Sequence, residues 1–350
     1  MNFTSWLTMI VASAAITPGV LAGQGTLLRD SVFSPGLGSN VTGDTAMRPV
    51  FVYLPPSYRT ESTRRYPVLY LLHGASSSPR EWFDGTYQGF DLKNALDSLI
   101  AARAIPEFIV VAPDVMNKLQ ASWYANSAVM GNWEDFIVSD LLRHIEKTYR
   151  TDNRATRRAL VGHSMGGFGS LAIGFRHPDV FGMVYAISPC CIGFVGPLAP
   201  NARAWPSLSA ISRWQDAPAQ LLPLIGLAAA LDGSKTSERL YGELPFSADG
   251  SGTIVAHQKV QRQWLSRMPP DLASAMVRRG DRQPILLLEA GSQEAGIQEG
   301  VRFLSNRLDS LHIRYTDSTF DGGHNDRVRE RFTQHMLPIV GKWFSSRPSR

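Results

Sequence analysis

The chain has 350 residues, of which 44% are hydrophobic and 19% charged, a composition that supports a sizeable core and excludes a disordered or repeat protein. The net charge is +5, but no dense Lys/Arg stripe interleaved with aromatic residues occurs, so we expect no nucleic-acid partner. The sequence has no metal-ligand spacing and no phosphate-binding loop motif, so we predict neither a metal nor an organic cofactor.

The first element is an apolar run over residues 6–16, followed by Pro18-Gly19 and by a small-residue cleavage site at Val20-Leu21-Ala22. This pattern is typical of a secretory signal peptide over residues 1–22, although no Lys or Arg precedes the run. An uncleaved anchor is the alternative, but the run is shorter than the roughly 20 apolar residues of a spanning helix. We therefore expect a secreted or periplasmic domain over residues 23–350, with no stable membrane insertion after cleavage.

Short runs rich in β-branched residues then alternate with longer segments of helical periodicity. This alternation predicts an α/β fold in which a mostly parallel central sheet carries helices on both faces. The predicted helices begin at Asp91 and Asn132, directly after Ser164, and at Gln298 and Arg327. The predicted strands are 50–54, 68–72, 108–112, 159–163, 183–187, 285–289 and 313–317.

The alternation is lost over residues 190–284, where Pro and Trp are frequent. This stretch is too long for a simple crossover, so we interpret it as an inserted, partly helical cap that selects the substrate. Its apolar stretch LLPLIGLAAAL has two explanations, buried cap packing or the lining of an acyl channel, and packing is the simpler one. Cys190 and Cys191 are adjacent, and since a bridge between neighbours requires a strained ring, we expect a buried structural pair.

The five residues Gly162-His163-Ser164-Met165-Gly166 lie between a predicted strand and a helix that opens with small residues. A serine on such a sharp turn, with glycines that let strand and helix approach closely, is a candidate nucleophile. The alternative is a glycine-rich bend without chemistry, because a pattern this short also arises by chance. The strand and helix on either side favour a nucleophilic Ser164.

A serine hydroxyl needs a general base, and after this kind of turn the partners follow in the order acid, then histidine. His324 is the predicted base because its Gly-rich loop, FDGGHNDR, follows the last strand and precedes the last helix. Glu294 is the predicted orienting acid, since it lies in a loop three residues beyond Gly291, whereas Glu289 is still within the strand run. The later histidines of the cap, a strand and the last helix have packing explanations: His257, His312 and His335.

An oxyanion requires two N–H donors. One is expected from Met165, the residue after the serine, and the other from Ala75, which follows His73-Gly74 at the end of strand 68–72. A structural turn explains His73-Gly74 alone equally well. Together with the turn at Ser164, however, these donors indicate acyl transfer through an acyl-enzyme.

Five blocks of the sequence occur in a familiar order: VYLPPSYR, YPVLYLLHG, NWEDFIVSDLLRHIEKTYR, GHSMGGFGSLAIGFRHPDVF and DGGHNDRV. They resemble the esterase D-like family of α/β-hydrolases, which includes S-formylglutathione hydrolases, feruloyl and acetylxylan esterases, enterochelin esterases and antigen 85 mycolyltransferases. The resemblance implies an α/β-hydrolase fold, serine carboxylesterase activity and a small-molecule or carbohydrate-linked ester as substrate. In this family the acid is Asp or Glu after a Gly, which is similar to Glu294 here.

Two alternatives to hydrolysis stay open at this point. An acyltransferase resembling the mycolyltransferases would use the same three residues to pass the acyl group to an alcohol. A catalytically silent binding protein on the same fold is disfavoured, because all the triad positions are filled. Formylglutathione hydrolases are cytosolic, so the predicted export argues against that activity.

Overall fold

A computed structural model describes residues 23–237 and 239–346. The predicted signal peptide, residues 1–22, lies outside the described residues. Eight strands of the described chain form one sheet. Their bounds are β1 Thr26–Phe33, β2 Met47–Leu54, β3 Val68–Leu72, β4 Ile109–Pro113, β5 Arg158–His163, β6 Met183–Ile187, β7 Ile285–Gly291 and β8 Thr316–Phe320.

The order of strands in this sheet is β1-β2-β4-β3-β5-β6-β7-β8. β2 runs antiparallel to both its neighbours, and all the other pairings are parallel. This topology confirms the predicted α/β class with a mostly parallel sheet. Parallel strands bring their carboxyl ends to one edge of the sheet, so the loops after β3, β5, β7 and β8 meet there.

Two features of the sheet differ from the prediction. β1 was not predicted, because this edge strand is mostly half-buried or exposed and lacks a buried apolar run. β8 begins at Thr316, three residues after the predicted start at residue 313. Ile313, which suggested the earlier start, is buried in the connection before the strand, while the strand itself carries mostly exposed side chains.

All five predicted helices are present, and α8 begins three residues before Gln298. α2 and α9 each contain a π-helical middle section, which in both cases continues directly into the flanking α-helix. The helix bounds are α1 Leu92–Ala101, α2 Trp133–Asp135 with Phe136–Leu141 and Leu142–Thr148, α3 Met165–Arg176, α4 Ala204–Ser209, α5 Leu222–Leu231, α6 Gln258–Ser266, α7 Pro269–Arg279, α8 Ala295–Ser310, and α9 Val328–Glu330 with Arg331–Met336 and Leu337–Ser345.

The helices cover both faces of the sheet, as predicted. α2 and α3 bury side chains such as Trp133 and Phe168 in the core of one face. α1 and α9 bury side chains such as Leu96 and Val340 in a second core on the other face. Among the described residues, no helix combines the length and the hydrophobicity needed to cross a bilayer.

The segment over residues 190–284 contains α4 to α7 and a hairpin of the strands Phe246–Ala248 and Ile254–Ala256. The apolar stretch forms α5, in which residues 225–231 are buried, so the explanation by packing is confirmed. α7 packs against α3 and α8 in the helical layer over the sheet. The part of the segment that is additional to this layer therefore ends before Pro269.

Candidate active site

Ser164 sits on the turn between β5 and α3 with φ 59° and ψ −119°, a backbone conformation that is strained for a residue with a side chain. The glycines beside it are required by close approach of the backbone. A Cβ atom on Gly162 would lie 2.0 Å from the Gly166 carbonyl oxygen, and one on Gly166 would lie 2.3 Å from the Leu72 carbonyl oxygen. The turn therefore holds the Ser164 hydroxyl at the carboxyl edge of the sheet, next to the first turn of α3.

His324 and Glu294 meet at the same edge, from the loops that follow β8 and β7. His324 Nδ1 donates to Glu294 Oε1 at 2.5 Å. With its proton on Nδ1, the imidazole presents Nε2 as a proton acceptor. These two residues thus have the arrangement of a general base and the acid that orients it.

Glu294 is 8% exposed, and its carboxylate accepts hydrogen bonds from two further donors. Its Oε2 atom accepts the Gly291 N–H at 2.6 Å and the Ser188 hydroxyl at 2.7 Å. Burial raises the pKa of Glu294, but the hydrogen bonds from His324, Ser188 and Gly291 outweigh it and leave that pKa below its ordinary value. Glu294 is therefore kept as an anion beside the imidazole.

The other acidic side chains near this loop have different partners. Glu289, buried in β7, accepts hydrogen bonds from the Arg331 guanidinium and the Tyr185 hydroxyl. Asp326 accepts the Gly323 N–H at 2.7 Å, which shapes the loop that carries His324. Of these acids, the structure brings Glu294 into hydrogen-bond contact with the imidazole.

Of the two predicted oxyanion donors, Met165 directly follows Ser164 in the chain, and Ala75 lines the same cavity as Ser164. His73 is fully buried and donates from Nδ1 to the Gly74 carbonyl oxygen at 2.8 Å. Because a trans peptide directs its C=O and N–H groups to opposite sides, this bond sets the direction of the Ala75 N–H. Within the described chain, neither the Ala75 nor the Met165 N–H donates to another residue, so both are available to a developing oxyanion.

Ser164 and His324 line one cavity of about 380 Å³. Among the described residues, the Ser164 hydroxyl and the His324 ring form no hydrogen bond. In active sites without substrate, the distance between nucleophile and base is often longer than a hydrogen bond. None of the lining residues of this cavity comes from residues 190–284, so its lining lends no support to the prediction that the cap selects the substrate. The lining residues are Gly74, Ala75, Ser76, Ser77, Glu81, Thr86, Tyr87, Gln88, His163, Ser164, His324, Asn325 and Asp326.

His163 has a role that the sequence analysis missed. Its side chain is buried, its Nε2 donates to the His324 carbonyl oxygen at 2.9 Å, and the two rings lie 4.7 Å apart. Burial, reinforced by the neighbouring His324 and Arg331, lowers the pKa of His163 to about 3. A neutral His163 thus tethers the loop that carries His324, and no local sequence pattern announces a contact between residues so far apart in the chain.

Cys190 and Cys191 follow β6 directly beside the serine turn. The structure joins them in a disulfide, so the expectation of an unbridged pair is wrong. The bridge links neighbours and closes no longer loop, so it ties no distant parts of the chain together. The Cys190 N–H donates to the Ser164 carbonyl oxygen at 3.3 Å, which connects this segment to the serine turn.

The chain matches known proteins over most of its length. The model of a family described as "Putative esterase" matches residues 42–342. An esterase of Mycobacterium tuberculosis is 43% identical over 126 residues, which are 35% of this chain and 25% of that protein. The S-formylglutathione hydrolase of Arabidopsis thaliana is 27% identical over 220 residues, which are 54% of this chain and 70% of that one.

Solved structures share the fold. A ferulic acid esterase superposes with a TM-score of 0.63 at 21% identity, covering 92% of this chain and 100% of the other. This likeness concerns the fold alone, and it confirms the predicted α/β-hydrolase fold. The alignment with the mycobacterial esterase spans only about a quarter of that protein's length.

Proposed function

The chain belongs to the putative esterase family, and on that premise we propose that it is a secreted serine carboxylesterase acting through an acyl-enzyme. One observation carries the proposal. His324 Nδ1 donates to Glu294 Oε1 at 2.5 Å, and His324 lines the same cavity as Ser164, whose backbone is strained in the manner of an activated nucleophile.

In the first step, the Ser164 hydroxyl oxygen attacks the ester carbonyl carbon while His324 Nε2 takes the hydroxyl proton. The negative charge that develops on the carbonyl oxygen is stabilised by the N–H groups of Ala75 and Met165. His324 then gives its proton to the departing alcohol as the carbon–oxygen bond breaks. Glu294 stays ionised throughout and stabilises the transient imidazolium.

In the second step, water replaces the alcohol. His324 takes a proton from the water as its oxygen attacks the acyl carbon, and the same two N–H groups stabilise the second oxyanion. The proton passes back to the Ser164 oxygen as the acid leaves, so the enzyme returns to its starting state. The balance of the reaction is one ester and one water giving one acid and one alcohol.

The substrate proposed is a small-molecule or carbohydrate-linked ester. A cavity of about 380 Å³ lies within the usual range for small ligands. The hydroxyl, carboxylate and amide groups of Ser76, Glu81 and Gln88 in its lining suit a hydroxylated alcohol part. Comparing kcat/KM for a sugar ester and a simple alkyl ester of the same acyl group tests this: equal or lower values for the sugar ester count against it.

The activity is tested by fluorophosphonate labelling and p-nitrophenyl acetate hydrolysis of the purified protein. Ser164→Ala should abolish labelling and lower kcat by at least about a thousandfold, because the nucleophile is lost. Ser170→Ala is the matched control, since Ser170 is a buried serine of α3, the helix that follows Ser164, and its hydroxyl donates to the Gly167 carbonyl oxygen. A parent protein that neither labels nor turns over ester would exclude the esterase and favour a silent binding protein.

We also propose export, with cleavage after Ala22. The support is the apolar run and small-residue site of the first 22 residues. The test is the N-terminal sequence of the protein recovered outside the cytoplasm of an expressing bacterium. Recovery of the uncleaved chain in the membrane fraction would replace this proposal with the anchor.

A further inference from the structure

A buried chain of hydrogen bonds continues behind Glu294, away from the cavity. Ser188 directly follows β6, is fully buried and has φ 46°. Its hydroxyl donates to Glu294 Oε2 at 2.7 Å. On its other side, Arg331 Nη2 donates to the Ser188 oxygen at 3.3 Å. The chain of contacts thus runs from Arg331 through Ser188 to the carboxylate that holds His324.

The direction of these bonds follows from chemistry. A serine hydroxyl can donate or accept, but a guanidinium has only donors. Because Arg331 occupies a lone pair of the Ser188 oxygen, the hydroxyl proton is directed to the other neighbour, Glu294, which as a carboxylate only accepts. Arg331 therefore sets the direction in which Ser188 donates.

Arg331 is itself held firmly in place. It is 2% exposed, its Nε donates to Glu289 Oε1 at 2.8 Å, and its Cζ atom lies 3.6 Å from the centre of the Phe320 ring. The Tyr185 hydroxyl donates to the other oxygen of Glu289. A buried ion pair of this kind commonly adds little stability, because removing both charges from water costs as much as their attraction returns. The ion pair of Glu289 and Arg331 has a function if it directs the Ser188 hydroxyl toward Glu294 in the active site.

We propose that Ser188 is a positioning residue of the esterase site and that Arg331, fixed by Glu289, sets the direction of its hydroxyl. This inference rests on the proposed function. Glu294 is held by three donors, of which His324 is one and the Gly291 N–H another. Without the third, from Ser188, the carboxylate is held by two donors and its charge is less stabilised, so the imidazole is oriented less firmly for proton transfer.

Other charged and titratable groups belong to the same hydrogen-bond network or line the same cavity. Substitution of Ser188 removes none of these groups, although it takes one hydrogen-bond acceptor from Arg331. A difference in pH profile between parent and variant therefore reports the loss of the Ser188 hydroxyl and of its two hydrogen bonds. These groups are His163 of β5, Tyr185 of β6, Glu289 of β7, Arg331 of α9, Asp326 of the same loop and Glu81 across the cavity.

The test compares Ser188→Ala with a matched control, Ser274→Ala. Ser274 is also buried, also accepts from an arginine, Arg307 Nε at 2.9 Å, and donates to the Pro270 carbonyl oxygen. Ser188→Gly is a second variant that removes the same hydroxyl and suits φ 46° better. The measurements are kcat and KM for p-nitrophenyl acetate across pH, the rate of fluorophosphonate labelling and the melting temperature.

Both Ser188 variants should lower kcat by about tenfold or more, which is the effect expected from the loss of one hydrogen bond to a charged group. KM should stay within about twofold of the parent value. The acid limb of the pH profile should move to higher pH, because a Glu294 carboxylate that has lost the Ser188 donor is more basic and favours the protonated imidazole. Labelling should slow to a similar degree. Ser274→Ala should leave kcat, the pH profile and the labelling rate at the parent values.

Parent-like kcat and pH profile in both Ser188 variants, with Ser164→Ala inactive, would overturn this inference and leave the proposed function intact. Equal losses of kcat in Ser188→Ala and Ser274→Ala, matched by equal losses of melting temperature, would also overturn it, since packing alone would explain them. A parent protein with no more activity than Ser164→Ala would overturn the inference together with the proposed function.

Discussion

Gly162→Ala tests whether the close approach of β5 and α3 forms the serine turn. The added Cβ would lie 2.0 Å from the Gly166 carbonyl oxygen and 2.2 Å from its carbonyl carbon. Ordinary contacts between carbon and oxygen are more than 3 Å, so strand and helix must separate by about 1 Å, and both partners are backbone that cannot rotate away. Overpacking of this severity should cost about 3 kcal/mol of unfolding free energy.

This cost converts to a change in melting temperature. An unfolding entropy of about 2.1 cal/mol/K per residue, over the 350 residues of the chain, gives ~0.7 kcal/mol/K, so Gly162→Ala should melt about 4 °C lower. A displacement of the Met165 N–H by about 1 Å should also lower kcat by roughly a hundredfold. Differential scanning calorimetry and p-nitrophenyl acetate kinetics measure the two effects.

The control is Gly250→Ala, in the turn of the hairpin formed by Phe246–Ala248 and Ile254–Ala256. A Cβ atom at Gly250 would have no heavy atom within 4 Å, and its φ is not positive. Its unfolding free energy should stay within about 0.5 kcal/mol of the parent value. If Gly162→Ala melts and turns over ester as the control does, the packing argument for the serine turn is refuted.

Two further predictions concern titratable groups of the site. Because the pKa of folded His163 is about 3, below the ordinary value of 6.5, the unfolded chain binds the proton first and the unfolding free energy should fall as pH drops through this window. The slope from this site should be at most about 1.4 kcal/mol per pH unit, and urea denaturation of His163→Gln should lack this part of the slope. For Glu294→Gln, kcat should fall about a thousandfold at neutral pH with little change in KM, because the imidazole loses its anionic partner. The unfolding free energy of the parent should also fall as pH drops below 4.5, since the folded pKa of Glu294 is lowered. A Glu294→Gln variant with the acid sensitivity and the kcat of the parent would contradict the role of Glu294 as the orienting acid.

The sequence by itself determined the central strands and the serine turn, because their causes are local. Runs of β-branched residues suit strands buried on both faces, and six such runs correspond to β2 to β7. The run at 313–317 only overlaps β8, whose side chains are mostly exposed. The turn requires small residues on either side of Ser164, and both glycines lie within two positions of it. The prediction of His324 has a similar local basis, since its Gly-rich loop separates the last strand from the last helix.

Tertiary structure decided the features whose causes are distant in the chain. β1 has little apolar character of its own and is a strand because it pairs with β2. The cavity is lined by β5 with its serine turn and by the loops after β3 and β8, rather than by residues 190–284. Ser188 meets Glu294 across 106 positions and Arg331 across 143, and no local pattern encodes contacts at such separations. Hydrophobic periodicity and turn chemistry act between near neighbours, whereas hydrogen-bond partners and cavities form only when the sheet brings distant loops to one edge.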